Sequence, residues 1–129
     1  MTPEELLFFA SKPAMLPVYQ ALRHQLLTAH PEVGIRVTKT QISFQNRYLF
    51  AVASFQRVPG CPREHLLVTF GLGAPIHNPR IAVVTEASPR RWTHHVVVTT
   101  PEGVDEELMG WLEEAYQFAL IKGRGKPRP

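Results

Sequence analysis

The sequence predicts an α+β fold in which an antiparallel sheet of five or six strands has N-terminal and C-terminal helices packed on one face. Apolar residues recur at helical spacing near both ends of the chain. Between these ends, several segments either alternate apolar with polar residues or are rich in valine, isoleucine and threonine. Short connections join these segments and favour antiparallel pairing, because parallel strands need long crossovers. The 129 residues suit one domain and are too few for two independent cores.

Two helices are predicted at the N-terminus. Residues 2–5 resemble a capping box with proline at the first helical position, which predicts a short helix to about residue 9 or 10. The Lys12-Pro13 step ends this helix. A second helix is predicted over residues 14–29 from apolar residues spaced four, three and four apart. These residues are Met15, Tyr19, Leu22 and Leu26.

The strands begin where the period changes to two. Residues 35–37 and 42–44 alternate apolar with polar side chains and predict a hairpin that turns near residues 39–41. Further strands are predicted at about residues 48–57, 65–71, 80–85 and 93–100. A final helix is predicted to open at Thr100-Pro101-Glu102 and to end at Gly123. Its wide apolar face consists of Val104, Leu108, Trp111, Leu112, Ala115, Phe118 and Ala119.

The net charge of +3 has a local origin. Residues 122–129 contain four basic side chains, which exceeds the net charge of the whole chain. This segment alternates glycine and proline with basic residues and has no apolar periodicity, which predicts a disordered basic tail after a single domain of residues 1–121. Its simplest role is solubility, and a weak, nonspecific contact with nucleic acid is the alternative.

Several classes of protein are excluded by the sequence. Cys61 is the only cysteine, so neither an internal disulfide nor a cysteine-based zinc site can form. The N-terminus does not resemble a signal peptide, and no apolar run reaches about 18 residues, so we expect a cytoplasmic protein without membrane contact. No P-loop, dinucleotide fingerprint, HExxH motif or nucleophile elbow occurs, and we expect no cofactor and no specific metal site.

The sheet face away from the helices is the predicted binding surface. Strand alternation assigns Ile35, Val37, Ile42, Phe44, Phe50 and Val52 to the helix side. The opposite side then presents Arg36, Thr38, Ser43, Gln45, Arg47, Ala51 and Ala53. A polar face of this kind is also typical of an ordinary solvated sheet surface.

Arginine and an aromatic side chain suggest what this surface binds. Arginine suits phosphate and carboxylate because its guanidinium donates hydrogen bonds in a planar fork. Arg91 stands beside Trp92, whose indole can stack on a planar ligand or cover the end of the sheet as a core residue. The candidate ligand-binding residues are Arg36, Ser43, Arg47, Arg91, Trp92 and His94.

The assembled features resemble a family of bacterial domains of unknown function, numbered 5655. The resemblance covers most of residues 9–118. It rests on the segments KTQISF at residues 39–44, WTHHV at residues 92–96 and VDEELMGWLEEAY at residues 104–116. The family implies the fold and no established activity. Its members occur alone or attached to other domains, which is typical of binding or accessory modules.

The leading hypothesis is therefore a non-enzymatic binding or accessory module that receives an anionic small molecule or protein partner on the open sheet face. One alternative is an enzyme acting on a small substrate, with His94 as general base. Another is a frataxin-like metal carrier that uses the acidic last helix, whose carboxylates are Asp105, Glu106, Glu107, Glu113 and Glu114.

Overall fold

A computed structural model describes residues 1–125, with side chains described as far as Ile121. The three α-helices are α1 (Pro3–Phe8), α2 (Leu16–Ala29) and α3 (Glu106–Gly125). Short 3-10 helices at Pro13–Met15 and Pro101–Gly103 precede α2 and α3. The strands are β1 (Gly34–Val37), β2 (Gln41–Asn46), β3 (Tyr48–Ser54), β4 (Leu66–Leu72), β5 (Ile81–Ser88) and β6 (Arg91–Val98).

The six strands form one antiparallel sheet in the order β1-β2-β3-β4-β6-β5. Neighbouring strands are consecutive in the chain except at β4, which pairs with β6 and leaves β5 at the edge. The structure confirms the predicted α+β fold, with six strands and helices at both ends of the chain.

Both long helices pack on the same face of the sheet. Phe44, Ala51, Phe70 and His94 are paired in turn across the four central strands and therefore point to one side. Tyr19 of α2 stacks on Phe44 with ring centroids 6.2 Å apart, and Trp111 of α3 lies 6.2 Å from Phe70. The main core consequently lies between this side of the sheet and the two helices.

The capping box predicted for α1 is present and also ties α1 to α2. The backbone N–H of Glu5 donates to the hydroxyl of Thr2, and the Glu5 carboxylate accepts from the Thr2 N–H. The same buried carboxylate accepts from the Tyr19 hydroxyl and, at 2.8 Å, from Nε of Arg23. Glu5 therefore links the first turn of α1 to two positions on α2.

An extra residue in β3 changes which side chains face the helices. Phe44 of β2 pairs with Ala51 and Gln45 pairs with Leu49, so Phe50 has no partner across this pair. At such a β-bulge, two successive residues point to the same side. Phe50 and Ala51 are both buried in the main core, and Phe50 packs edge-on against Tyr116 of α3 at 5.2 Å.

The prediction that Val52 faces the helices and that Ala51 and Ala53 face away from them was wrong, because simple alternation ignores this bulge. Ala51 and Ala53 face the helices, since they pair with Phe44 and Ile42. Val52 pairs with Ser43 and lies on the opposite face.

The face away from the helices is also less open than predicted. Ser43, Ser54 and Leu67 lie on this face and are buried. The segment between β3 and β4 contains two further buried residues, Val58 and His65. The ring nitrogens of His65 lie 2.9 and 2.8 Å from the carbonyl oxygens of Pro62 and Gln56, which indicates that this segment has a defined conformation.

Helix α3 continues to Gly125, beyond the glycine at position 123 that was predicted to end it. Residues 126–129, the last half of the predicted basic tail, lie outside the described residues. The disorder of that tail stays a prediction. Within residues 1–125, no helix is both long enough and apolar enough to cross a membrane.

Candidate binding groove

The bulge in β3 marks the point at which β3 and β4 stop pairing. Residues from Ala51 to Ser54 pair with β4, whereas the first residues of β3 pair with β2 alone. Strand β4 nevertheless continues beyond Phe70 to Leu72, paired with β6. A groove of about 640 Å³ opens at this end of the sheet. Its lining residues are Tyr48, Leu49, Phe50, Ala51, Val52, Thr69, Phe70, Gly71, Ala87, Arg91, Trp92, Thr93, Ala115, Phe118 and Ala119.

Residues from both faces of the sheet line this groove. Phe70 and Trp92 belong to the helix side, whereas Val52 and Thr69 pair with each other on the opposite side. The groove therefore passes between β3 and β4 instead of lying on one face. Helix α3 closes it on the helix side with Ala115, Phe118 and Ala119, two of which are too small to fill the space.

Arg91 is the only charged residue among the described residues that line the groove. It is half-buried at the start of β6. Among the residues whose side chains are described, none forms a salt bridge with it. Its five N–H donors therefore face a described lining that contains no carboxylate.

Two further arginines lie at the same end of the sheet, in the turns that connect β2 to β3 and β5 to β6. Arg47 and Arg90 both have a φ of 64°, in the left-handed region that residues other than glycine seldom adopt. The guanidinium of Arg47 lies 5.8 Å from the centre of the Tyr48 ring, and Tyr48 lines the groove. We call Arg47, Arg90 and Arg91 the arginine rim.

The structure separates the predicted site residues into different groups. Arg91 and Trp92 line the groove, and Arg47 lies beside it in the arginine rim. Arg36 and Ser43 pair with each other on the face away from the helices but do not line the groove. Arg36 on β1 and Arg91 on β6 are separated by four strand spacings, about 19 Å across the sheet, and by four residues, about 13 Å, along the strands. Along β2, four residues separate Ser43 from Arg47, which is about 13 Å.

The placement of His94 on the open face was wrong. His94 pairs with Phe70 and stacks on its ring at 5.2 Å, so it faces the helices with no exposed surface. Its Nε2 accepts a hydrogen bond of 3.0 Å from the Ile76 N–H, and its Nδ1 has no partner among the described residues. Burial lowers the pKa of His94, which favours the neutral ring.

The histidine on the other face is its neighbour, His95. Nδ1 of His95 lies 2.8 Å from Oγ1 of Thr69, with which it pairs across β4 and β6. Thr69 lines the groove, so His95 is one hydrogen bond away from it. Burial also lowers the pKa of His95.

A family model described as Domain of unknown function (DUF5655) matches residues 7–119. The chain belongs to this family. No curated protein and no solved structure matches the chain. Every residue that lines the groove lies within the DUF5655 match, whereas the basic residues from Lys122 onward lie outside it.

Several lining residues of this DUF5655 member were not among the predicted site residues. Phe118 and Ala119 were assigned to the buried face of the last helix, and the extent of that face was a signal that they have a partner surface. Tyr48 and Thr69 had no comparable signal, because the groove depends on the divergence of β3 from β4. Alternation along a single strand does not indicate such a divergence.

The acidic residues at the start of α3 form an intramolecular ion-pair network. Nη1 of Arg80 donates to Oδ1 and Oδ2 of Asp105 at 2.8 and 2.9 Å and to Oε1 of Glu107 at 3.0 Å. The Leu108 N–H and the Arg80 guanidinium lower the pKa of Asp105. Among the described residues, no group of three or more histidine, cysteine, aspartate or glutamate side chains is placed to hold a metal ion.

Proposed function

We propose that the groove binds a small molecule that has an apolar body and one anionic group, and that the protein is a non-enzymatic binding or accessory module. The observation that supports this most directly is the composition of the lining. One arginine, Arg91, is the only charged group among the fifteen described lining residues. The others are mainly aromatic, aliphatic or small.

The size and lining of the groove favour a small molecule over a protein. Pockets for small ligands typically have volumes of about 300–1,000 Å³ and apolar walls with a few polar groups. The groove, at about 640 Å³, is within this range. A stable protein partner would instead need roughly 800 Å² of contact surface on this chain.

The charge of the ligand follows from Arg91. A half-buried guanidinium without a carboxylate partner in the described residues can form a bidentate hydrogen-bonded pair with a carboxylate, sulfonate or phosphate. Arg47 and Arg90 add positive charge at the same end of the sheet. This positive charge favours the approach of an anion to the end of the sheet at which the groove opens.

A binding role is favoured over catalysis by the position of His94. A substrate could reach this general base only by entering the core and displacing the Ile76 N–H from Nε2. The metal-carrier alternative has no comparable support, because Asp105 and Glu107 are already bonded to Arg80. We also propose the bacterial cytoplasm as its location, from the single cysteine and the family resemblance.

The proposal is tested with a matched pair of fluorescent probes. Anilinonaphthalene sulfonate has an apolar body and one anionic group, and phenylnaphthylamine is its uncharged analogue. We expect Arg91→Gln to weaken binding of the sulfonate about tenfold or more, because it removes a charge-assisted hydrogen bond. The same variant should change the affinity for the uncharged analogue little.

Arg36→Gln is the matched control, since it removes an exposed arginine from the same sheet about 23 Å from Arg91. It should leave the affinity for the sulfonate unchanged. Near-ultraviolet circular dichroism of each variant checks that the fold is intact. Equal loss of affinity in both variants, or no loss with Arg91→Gln, would contradict the proposal.

A further inference from the structure

The hydrogen bond between Thr69 and His95 connects the groove to an ionisable imidazole. Oγ1 of Thr69 and Nδ1 of His95 lie 2.8 Å apart on the face away from the helices. Thr69 lines the groove directly, whereas His95 lies behind it on β6 and is half-buried. His95 is therefore not in the groove lining itself but is hydrogen-bonded to a residue that is.

The charge of His95 and the tautomer of its neutral ring decide what Thr69 can offer to a ligand. A neutral imidazole with its proton on Nε2 accepts the Thr69 hydroxyl hydrogen at Nδ1, so only the oxygen lone pairs of Thr69 face the groove. An imidazolium has protons on both nitrogens and can only donate. Its Nδ1–H then bonds to Oγ1, and the hydroxyl hydrogen is free to point into the groove.

We propose that His95 is a positioning residue that controls, through the Thr69 hydroxyl, how tightly the groove holds an anion. When His95 is protonated, Thr69 donates to the anion, and when the ring is neutral with its proton on Nε2, Thr69 is held as a donor to the ring. This inference rests on the proposed function of the groove. Because His95 gains a proton as the pH falls, the affinity of the groove for an anion should then increase.

No carboxylate lies on the same face of the described strands β4, β5 and β6 that surround His95. Its neighbours across β4 are Leu67, Thr69 and Gly71, and its partner on β5 is Val83. On its own strand, Thr93 and Val97 share its face, and Arg91 is the next residue in that row. His94 points to the other face.

The pH range of this control by His95 follows from these neighbours. Arg91 is the only charged residue on the same face of the three described strands β4, β5 and β6. Burial lowers the pKa of His95, so the free protein holds the neutral ring near pH 7 and protonates it at more acidic pH. A bound anion close to Thr69 favours the protonated ring and so strengthens its own binding.

The test measures the dissociation constant of anilinonaphthalene sulfonate at about pH 8 and about pH 5, a range in which histidine titrates and the sulfonate stays ionised. In the parent protein we expect binding to tighten about tenfold at the lower pH, as for one added hydrogen bond to a charged group. His95→Asn and Thr69→Val should each remove this pH dependence. Thr69→Ser, which keeps a hydroxyl, should restore it.

Control variants show whether the pH dependence comes from His95 and passes through Thr69. His24→Asn, which removes an exposed histidine of α2, should keep the pH dependence. A Thr69→Val variant that still tightens at low pH would overturn the role of Thr69 as the link. A parent protein that binds through Arg91 with equal affinity at both pH values would overturn this inference alone. Absence of any binding of the sulfonate would overturn both this inference and the proposed function.

Discussion

The guanidinium of Arg80 lies over the ring of Trp111, 5.8 Å from its centre. The same guanidinium bonds to Asp105 and Glu107, and its Nη2 donates to the carbonyl oxygen of Gly103 at 2.9 Å. The residue before β5 is thereby fixed to the start of α3 and to the aromatic ring that packs on Phe70. These contacts fix the position of the first turns of α3 relative to the sheet.

Trp111→Ala should lower the free energy of unfolding by about 3–5 kcal/mol, because it removes a large buried side chain and leaves a cavity beside Phe70. Urea denaturation measures this change. Ile121→Ala, on the same helix but at an exposed position, is the control and should change the stability by less than about 0.5 kcal/mol. A loss below about 1 kcal/mol for Trp111→Ala would show that another stripe of α3 supports the core.

Arg80→Lys should destabilise the protein by about 1 kcal/mol, although it keeps the positive charge. The two terminal nitrogens of the guanidinium reach different acceptors, Nη1 the carboxylates of Asp105 and Glu107 and Nη2 the carbonyl of Gly103, whereas an ammonium group has its three donors on one nitrogen. The measurement is urea denaturation at low and high salt, since screening should reduce the contribution of these partly exposed pairs. If Arg80→Lys is as stable as the parent at low salt, the positive charge at position 80 is sufficient for the stabilisation and the guanidinium geometry is not needed.

Glu5→Gln should destabilise the protein most at neutral pH. Burial alone would raise the pKa of Glu5, but hydrogen bonds from Thr2, Tyr19 and Arg23 lower it below its ordinary value of 4.5. The ionised carboxylate therefore stabilises the folded state above that pH, and this contribution is lost as the pH falls through the lower pKa of the folded protein.

Thermal unfolding of the parent and of Glu5→Gln from about pH 7 to about pH 3 measures this contribution, and the gap in Tm should narrow as the pH falls. Glu4→Gln, an exposed neighbour in the same helix turn, is the control and should give a small gap at every pH. A gap for Glu5→Gln that stays constant with pH would mean that packing, and not ionisation, is responsible.

Truncation after Ile121 should leave the Tm almost unchanged, because no apolar residue follows that position. If the parent binds single-stranded nucleic acid, the loss of four basic side chains should weaken this binding and flatten its dependence on salt. Differential scanning calorimetry and a salt titration check the two parts. A drop of many degrees in Tm would instead make the last residues part of the folded domain.

The fold could be predicted from the sequence because its main determinants are local. The predicted stripe of Tyr19, Leu22 and Leu26 is buried on α2, and Met15 is buried in the 3-10 helix before it. The apolar face predicted for α3 includes the buried Leu108 and Trp111. Short connections and alternation were enough to predict antiparallel pairing.

The groove could be predicted only in part. Arg91 and Trp92 stood out as an arginine beside an aromatic residue, but their partners come from β3, β4 and α3. The bulge at Phe50 cannot be recognised in a segment where Phe50, Ala51 and Ala53 are all apolar, so the parity of β3 was wrong. His94 and His95 are identical residues on neighbouring positions, and the pairing of Phe70 with His94 decides which of them faces the core.

The extra residue in β3, Phe50, limits the changes that this strand can accept. Because Phe50 is both the unpaired residue of the bulge and a core contact of Tyr116, its deletion would change the register of β3 and the packing of α3 together. Sequence drift at this position is therefore constrained by folding. Residues such as Thr93 and Ala87 line the groove outside the main core and are free of that constraint, so their substitution changes the groove lining while the β3 backbone stays the same.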